Sequence, residues 1–245
     1  MANEDELSGR VAVITGASRG IGRAVAKALA RRGAQVVAIA RTSGALEELD
    51  DEIQAETGRN TSLVPLDLTD FDAIDRLGGT LAERFKRTDI IVGNAGVLGD
   101  ITPLAHLEPK VWQDLVNVNI TANWRLIRAF DPLLRASDAG RALFTTSGIT
   151  QRLRAYWGGY AMSKAALEAM VLTYAQEVRN TPLKVNMINP GATRTRMRAK
   201  AMPGEDPETL PTPEDVAELF AAMAAPGWTG HGEIVNYREW RDTPA

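Results

Sequence analysis

The chain has 245 residues, with 28 lysines and arginines against 31 aspartates and glutamates. That length buries a full core, and 44% apolar with 24% charged residues excludes a disordered, collagen-like or disulfide-stapled chain. With no cysteine, thiolate catalysis and cysteine-ligated metal sites are excluded; two histidines, His106 and His231, make no histidine-rich metal site, and a net charge of −3 gives no reason to expect nucleic acid.

The first nine residues, MANEDELSG, lack the positive start and apolar stretch of a secretory signal. The longest wholly apolar run, 219–225, is too short to span a membrane. The expectation is a cytoplasmic protein with no membrane partner and no metal.

Short β-branched runs lie at 11–14, 36–39, 63–66, 90–92, 143–146 and 185–188, with a weaker one at 233–235. Helical stretches separate most of them. Ile21, Val25, Ala28 and Leu29 share one face; Leu46, Leu49 and Ile53 form a second stripe, and Ile74, Leu77, Leu81 and Phe85 a third. Trp112 and Trp124 fall on a fourth helix. A fifth opens at Tyr160, with Ala165, Ala166, Met170 and Tyr174 among its apolar positions, and Thr212, Pro213 and Asp215 write a helix start. This alternation predicts one α/β domain over residues 1–245: a doubly wound, Rossmann-type parallel sheet of seven strands with about six main helices on its two faces.

The first strand runs into Thr15-Gly-Ala-Ser18-Arg19-Gly20-Ile21-Gly22 and then a helix. Such a turn lets backbone N–H groups and the helix N-terminus approach a pyrophosphate. The spacing Gly16-x3-Gly20-x-Gly22 departs from GxGxxG. A NAD-type site places a carboxylate after the second strand to hold the ribose 2′-hydroxyl, but here that stretch ends Arg41-Thr42. Arg19 brings a second guanidinium, and two cations without a carboxylate favour a 2′-phosphate, hence NADP(H) over NAD(H). The alternative is that both arginines are solvated surface residues.

Further along come Asp67-Leu-Thr, Asn94-Ala-Gly96, Asn119, Ser147, Tyr160-x3-Lys164 and Asn189-Pro-Gly191. In this order and spacing the chain resembles the short-chain dehydrogenase/reductase family in its compact single-domain form. The chemistry is readable in the residues. Tyr160 and Lys164 stand at i and i+4 on one helix face. A free tyrosine titrates near pH ~10, and a neighbouring ammonium stabilises its phenolate, so Lys164 is expected to lower the Tyr160 pKa. Ser147, at a strand end, can hydrogen-bond a substrate oxygen while Tyr160 gives or takes its proton.

The resemblance implies that Lys164 also binds the nicotinamide ribose and that Asn119 supports a proton-relay water, with Asn117 the competitor for that place. It further implies cofactor contacts at Asp67 (adenine), Leu68, Asn94, Ala95, Gly96, Pro190, Gly191, Thr193 (backbone) and Thr195 (hydroxyl), and a homodimer or homotetramer. Gly93 stands where the family often has a first asparagine, and Tyr237-Arg-Glu-Trp240 replaces its usual Asp-Gly-Gly close.

Substrate would sit among segments 97–106, 148–159 and 194–207. Residues 194–210 resemble the family's substrate lid, and Arg194, Arg196, Arg198 and Lys200, with Arg152 and Arg154 opposite, could recruit an anion. The competing reading is a solvated lid with outward arginines. Tyr156, Trp157 and Met197 predict a partly apolar pocket. His106 and His231 are expected to be structural or surface groups. The function predicted is an oxidoreductase moving hydride between NADP(H) and a small-molecule carbonyl or secondary alcohol. A catalytically silent NADP-binding sensor is the alternative; a longer sugar-nucleotide epimerase type does not fit the length.

Overall fold

A computed structural model describes residues 6–243. The strands are β1 (Val11–Thr15), β2 (Gln35–Ala40), β3 (Ser62–Pro65), β4 (Ile90–Gly93), β5 (Arg141–Thr145), β6 (Lys184–Asn189) and β7 (Ile234–Asn236). The helices are α1 (Gly20–Arg31), α2 (Ser43–Thr57), α3 (Phe71–Phe85), α4 (Pro109–Leu115), α5 (Ala122–Arg135), α6 (Gly158–Val178), α7 (Arg196–Ala201), α8 (Pro213–Ala224) and α9 (Tyr237–Arg241). The seven strands form one all-parallel sheet in the order β3-β2-β1-β4-β5-β6-β7. The order reverses between β1 and β4, the switch point where open α/β sheets bind ligands.

Helices cover both faces. Ala12 and Ile14 of β1 pack into the layer holding Val25 and Leu29 of α1, Leu46, Leu49 and Ile53 of α2, and Leu219 and Phe220 of α8. Val11 and Val13 face the other layer, with Ile74 and Leu81 of α3, Leu126 and Phe130 of α5, and Leu167 and Val171 of α6. Strands buried on both faces need no polar alternation, which is why they read as continuous apolar runs. The Thr212–Asp215 capping box forms as expected, with the Thr212 hydroxyl accepting from Asp215 N–H at 3.1 Å. On α6 the expected stripe shifts: Tyr174 is buried, Ala166 and Met170 are half-buried, and Ala165 is exposed.

Two buried charged residues start or brace strands where hydrophobicity gave no signal. β5 begins at Arg141, two residues before the apolar run, because its guanidinium donates to the carbonyls of Ala225, Pro226 and Trp228. Asp89, fully buried, accepts from Val11 N–H at 2.9 Å and the Ser137 hydroxyl at 2.6 Å, and pairs with Arg10 at 3.2 Å. Together they lock the amino edge of the sheet. The opposite, carboxyl edge is left for function.

His231 is structural: its Nδ1 accepts from Val185 N–H at 3.2 Å and its Nε2 donates to the Ala175 carbonyl at 2.8 Å. His106 lies in a 3-10 turn, exposed. Among the described residues no helix is long and apolar enough to cross a membrane.

Candidate active site

Because every strand is parallel, every strand-following segment emerges at one edge. Gly16–Gly22 follow β1; Arg41 and Thr42 follow β2; Asp67 and Leu68 follow β3; Asn94, Ala95 and Gly96 follow β4; Ser147 follows β5; Pro190, Gly191, Thr193 and Thr195 follow β6. Tyr160 and Lys164 come from α6.

Consecutive residues at the end of β5 meet α6 one by one. The Thr145 carbonyl accepts from Lys164 Nζ at 2.9 Å. The Thr146 hydroxyl donates to Glu168 Oε1 at 2.5 Å. The Ser147 hydroxyl interacts with the Tyr160 phenol. A strand residue advances about 3.3 Å and a helix turn about 5.4 Å, so the chain beyond Thr145 bends across α6 to make this register.

Tyr160 and Lys164 are both buried, with Lys164 Nζ 5.9 Å from the Tyr160 ring centroid. Burial dominates both. It pushes Tyr160 up to about 12, with Ser147 pulling the other way. It pushes Lys164 down to about 8, opposed by the Glu168 carboxylate. The depression of Tyr160 expected from Lys164 does not emerge from the chain's own groups: burial raises the phenol, Ser147 alone opposes it, and the Lys164 ammonium donates to the Thr145 carbonyl instead.

Asn119, not Asn117, faces this group. The helix running from α4 into α5 widens to a π-helical turn at Val116–Thr121, a distortion common at functional sites. Inside it, the buried Asn119 amide pairs with Val97: Oδ1 accepts from Val97 N–H at 2.8 Å and Nδ2 donates to the Val97 carbonyl at 2.9 Å. Nδ2 also donates to Ser163 Oγ at 2.9 Å. Asn117 instead accepts from the Gln113 side chain. A β-carbon on Gly96 would sit 3.2 Å from Asn119 Oδ1 and 3.6 Å from Lys164 Nζ, which places the β4 loop against both.

The glycine-rich turn fits a dinucleotide. Gly16 and Gly20 have positive φ, and at Gly22 a β-carbon would fall 2.4 Å from the Gly16 carbonyl, so helix and turn touch backbone to backbone. Ser18 and Ile21 are half-buried in the turn. Asn94 ties that turn to the switch point, its Nδ2 donating to the Thr15 carbonyl at 3.1 Å while Thr15 Oγ1 accepts from Asn94 N–H at 3.0 Å and Ala95 N–H at 3.1 Å. Arg19, Arg41 and Thr42 are exposed. Asp67 is held below the ordinary carboxylate range, first by Thr69 N–H and with Arg41 adding to the effect; Leu68 beside it is buried. The two residues that directly follow β2, Arg41 and Thr42, include no acidic side chain. Thr193 is buried, its hydroxyl donating to Pro190 O at 3.1 Å, and Thr195 caps α7 by accepting from Arg198 N–H at 3.2 Å. The Thr195 methyl lies 3.5 Å from the Cβ position of Gly20, so the segment after β6 closes onto the turn after β1.

At Gly93 a β-carbon would meet Phe144 at 2.4 Å and Asn123 Oδ1 at 2.6 Å. The space a side chain at Gly93 would need is taken by these two residues. The carboxyl end also reaches the site, through Asn236: its Oδ1 accepts from Asn189 Nδ2 at 2.7 Å.

The segment after β6 holds most of its cations in ion pairs. Arg194 pairs with Glu208 at 3.0 Å, Arg198 with Glu205 at 2.5 Å, and Lys200 with Asp100 at 3.6 Å while donating to the Gly99 carbonyl. Arg152, Arg154 and Arg196 are exposed and form no ion pair among the described residues. Ile101, Leu104, Leu153, Tyr156 and Met197 are exposed on the same three segments, and Trp157 packs edge-on against Tyr160 with ring centroids 6.2 Å apart.

Residue spacing did not point to Thr145, Thr146, Asn123, Ser163, Glu168 or Asn236 as parts of this site. Threonine at a strand end and glutamate on a helix are ordinary, and only the β5–α6 register reveals them. Asn189 was visible in its motif without its partner.

Residues 10–206 match the family model described as short chain dehydrogenase. The chain is 43% identical over 219 residues to the uncharacterized oxidoreductase YciK of Escherichia coli K12, covering 89% of this chain and 86% of that one. It is 30% identical over 228 residues to the 3-oxoacyl-[acyl-carrier-protein] reductase FabG of Vibrio harveyi, covering 90% and 91%. A crystal structure of a short chain dehydrogenase from Shigella flexneri 2a, complexed with NADP, superimposes with a TM-score of 0.92 at 39% identity, covering 96% of this chain and 99% of that one. The chain belongs to the short-chain dehydrogenase family, and it is an oxidoreductase of that family.

Proposed function

We propose that the protein interconverts a carbonyl and a secondary alcohol with NADP(H), preferred over NAD(H). The observation that carries this reading is the β5–α6 register, which sets Ser147 on Tyr160 and anchors Lys164 on the Thr145 carbonyl, near the Tyr160 ring.

The residues that would hold the dinucleotide are Gly16, Ser18, Arg19, Gly20, Ile21 and Gly22 at the pyrophosphate and Arg41 and Thr42 at the 2′-phosphate. Asp67, Leu68, Asn94, Ala95 and Gly96 would line the adenosine, and Pro190, Gly191, Thr193 and Thr195 the nicotinamide, with Lys164 at its ribose. When bound, the nicotinamide supplies the hydride or accepts it. Ser147 donates a hydrogen bond to the substrate carbonyl oxygen and polarises it. Tyr160 is a protonated phenol at neutral pH, and it gives that proton to the oxygen as negative charge grows there. In the reverse direction it takes the proton back. Lys164 stays mostly charged at neutral pH and stabilises the phenolate left behind. Asn119, fixed by Val97 and Ser163, braces the π-helical turn through which a water would resupply the proton.

Segment 194–210 acts as a short lid, held over the β4 loop by Lys200. The ion pairs along it favour a solvated lid over an anion trap. The exposed apolar side chains on the three surrounding segments suit a carbonyl carried on an apolar body. Two copies meeting through α4–α5 and α6 would form the homo-oligomer that the resemblance implies, and Trp112 and Trp124 are exposed on that helix pair. The test is NADPH oxidation against a panel of ketones and aldehydes, with Tyr160→Phe alongside. A fall in kcat of about 10²–10⁴ in the variant, with NADPH affinity kept, supports the reading. Equal rates would remove Tyr160 from the mechanism.

A further inference from the structure

Glu168 is absent from the motif set, yet it completes the helix face that carries the chemistry. Tyr160, Lys164 and Glu168 are spaced i, i+4 and i+8 on α6, so they stand one above another along a single stripe. The Glu168 carboxylate is clasped on one oxygen by two hydroxyls, Thr146 Oγ1 at 2.5 Å and Thr150 Oγ1 at 2.9 Å. Both donors come from the chain that bends out of β5 on either side of Ser147. The same strand end holds Lys164 through the Thr145 carbonyl. One short segment thus fixes Ser147, Lys164 and Glu168 together.

We infer that Glu168 is a positioning residue of the active site, keeping Lys164 charged and seated against Tyr160. The inference rests on the proposed role of Lys164. A buried ammonium is unfavourable without a counter-charge, and Lys164 has few groups to turn to. From α6 it faces Tyr160, which is neutral over the physiological range, and Glu168. From β5 it meets the Thr145 carbonyl, and a β-carbon on Gly96 in the β4 loop would lie 3.6 Å from its Nζ; neither residue is charged. Glu168 is the charged group that opposes the effect of burial on it. Thr146 and Thr150 both place a hydroxyl on the carboxylate and so fix its position on this stripe.

The test follows Lys164 itself and needs no substrate. In protein carrying ¹³C at lysine Cε, the Lys164 signal is assigned by its loss in Lys164→Arg, and its titration midpoint is followed by NMR in wild type, Glu168→Gln and Glu168→Asp. The expected result is a midpoint lower by at least about half a pH unit in the Gln variant, with Asp in between. An unchanged midpoint in a folded Gln variant overturns the inference, since a merely structural glutamate would alter thermal stability and leave the midpoint alone. Should the Gln variant not fold, Glu168→Leu takes its place: a lowered midpoint supports, an unchanged one overturns. Carbonyl reduction measured in parallel separates the two ideas. A shifted midpoint in a protein that reduces no carbonyl would sink the proposed function and keep the coupling; an active enzyme with an unmoved midpoint would do the reverse.

Discussion

Asn189 and Asn236 join the last two strands of the sheet through their side chains, Asn189 Nδ2 donating to Asn236 Oδ1 at 2.7 Å. The bond turns Asn189 Oδ1 towards two backbone donors, Gly148 N–H and Gly191 N–H, each at 3.0 Å. One buried amide therefore sets the spacing between the loop that carries Ser147 and the loop that carries Pro190. Asn236→Leu keeps the size and removes the acceptor, leaving Asn189 Nδ2 without a partner. We expect a stability loss of about 1–3 kcal/mol by denaturant unfolding, together with a raised KM for the cofactor. A loss of stability with unchanged KM would confine the pair to a packing role.

Lys164 gives the fold a pH signature. Its folded pKa of about 8 lies below the ordinary 10.5, so between those values the unfolded chain binds more protons than the folded one. Stability contributed by this site therefore rises as pH increases from about 8 to 10.5, and below that range burial of the charge costs on the order of 3 kcal/mol. Lys164→Met removes the group at similar volume. Relative to wild type, the variant should gain stability near neutral pH, and the gain should vanish above pH ~10.5. Urea unfolding of both proteins across this range checks it; parallel curves would mean that the ammonium is not desolvated.

Cofactor choice should depend on Arg41. It stands at the end of β2 where a NAD-type site would place an acid, near enough to Asp67 to act on its charge. Arg41→Ala is expected to raise the KM for NADPH about tenfold, as for loss of one charge-assisted hydrogen bond, and to leave NADH almost unchanged. Equal loss for both cofactors would show that Arg41 touches a part they share.

Gly22 is expected to accept no side chain. A β-carbon there would lie 2.4 Å from the Gly16 carbonyl and 2.5 Å from Asn94 Nδ2. Neither can withdraw without opening the turn that Asn94 holds to Thr15. Gly22→Ala should lower stability by about 1–3 kcal/mol and abolish saturable NADPH binding, measured by quenching of tryptophan fluorescence.

The fold was largely legible because the strands are buried on both faces and so announce themselves as apolar runs, while α1, α2 and α3 carry stripes at helical spacing. What escaped was the polar framing. Arg141 and Asp89 belong to strand edges yet read as surface charges, because their partners are backbone groups and residues far away in the chain. The site was legible where chemistry imposes a spacing, as in Tyr160 and Lys164, and in the order of the strand-following motifs. The resemblance chose Asn119 with Asn117 as competitor, and the π-helical turn is what points Asn119 at Val97 and leaves Asn117 with Gln113. The sequence shows a lysine one turn from Tyr160 but not how deeply the phenol is buried, and burial is what raises it.

The packing at Gly93 bears on how this loop could ever change. A side chain introduced there would collide with the Phe144 ring and the Asn123 amide oxygen, and Asn123 in turn donates to the Asn119 carbonyl at 2.9 Å. Placing an asparagine at Gly93 is thus not one mutational step. It requires Asn123 to shrink and Phe144 to shift before Gly93 can grow, with the π-helical turn losing a tether midway. The three positions form a locked combination, so grafting this loop onto a relative, or a relative's loop onto this chain, should succeed only when all three travel together.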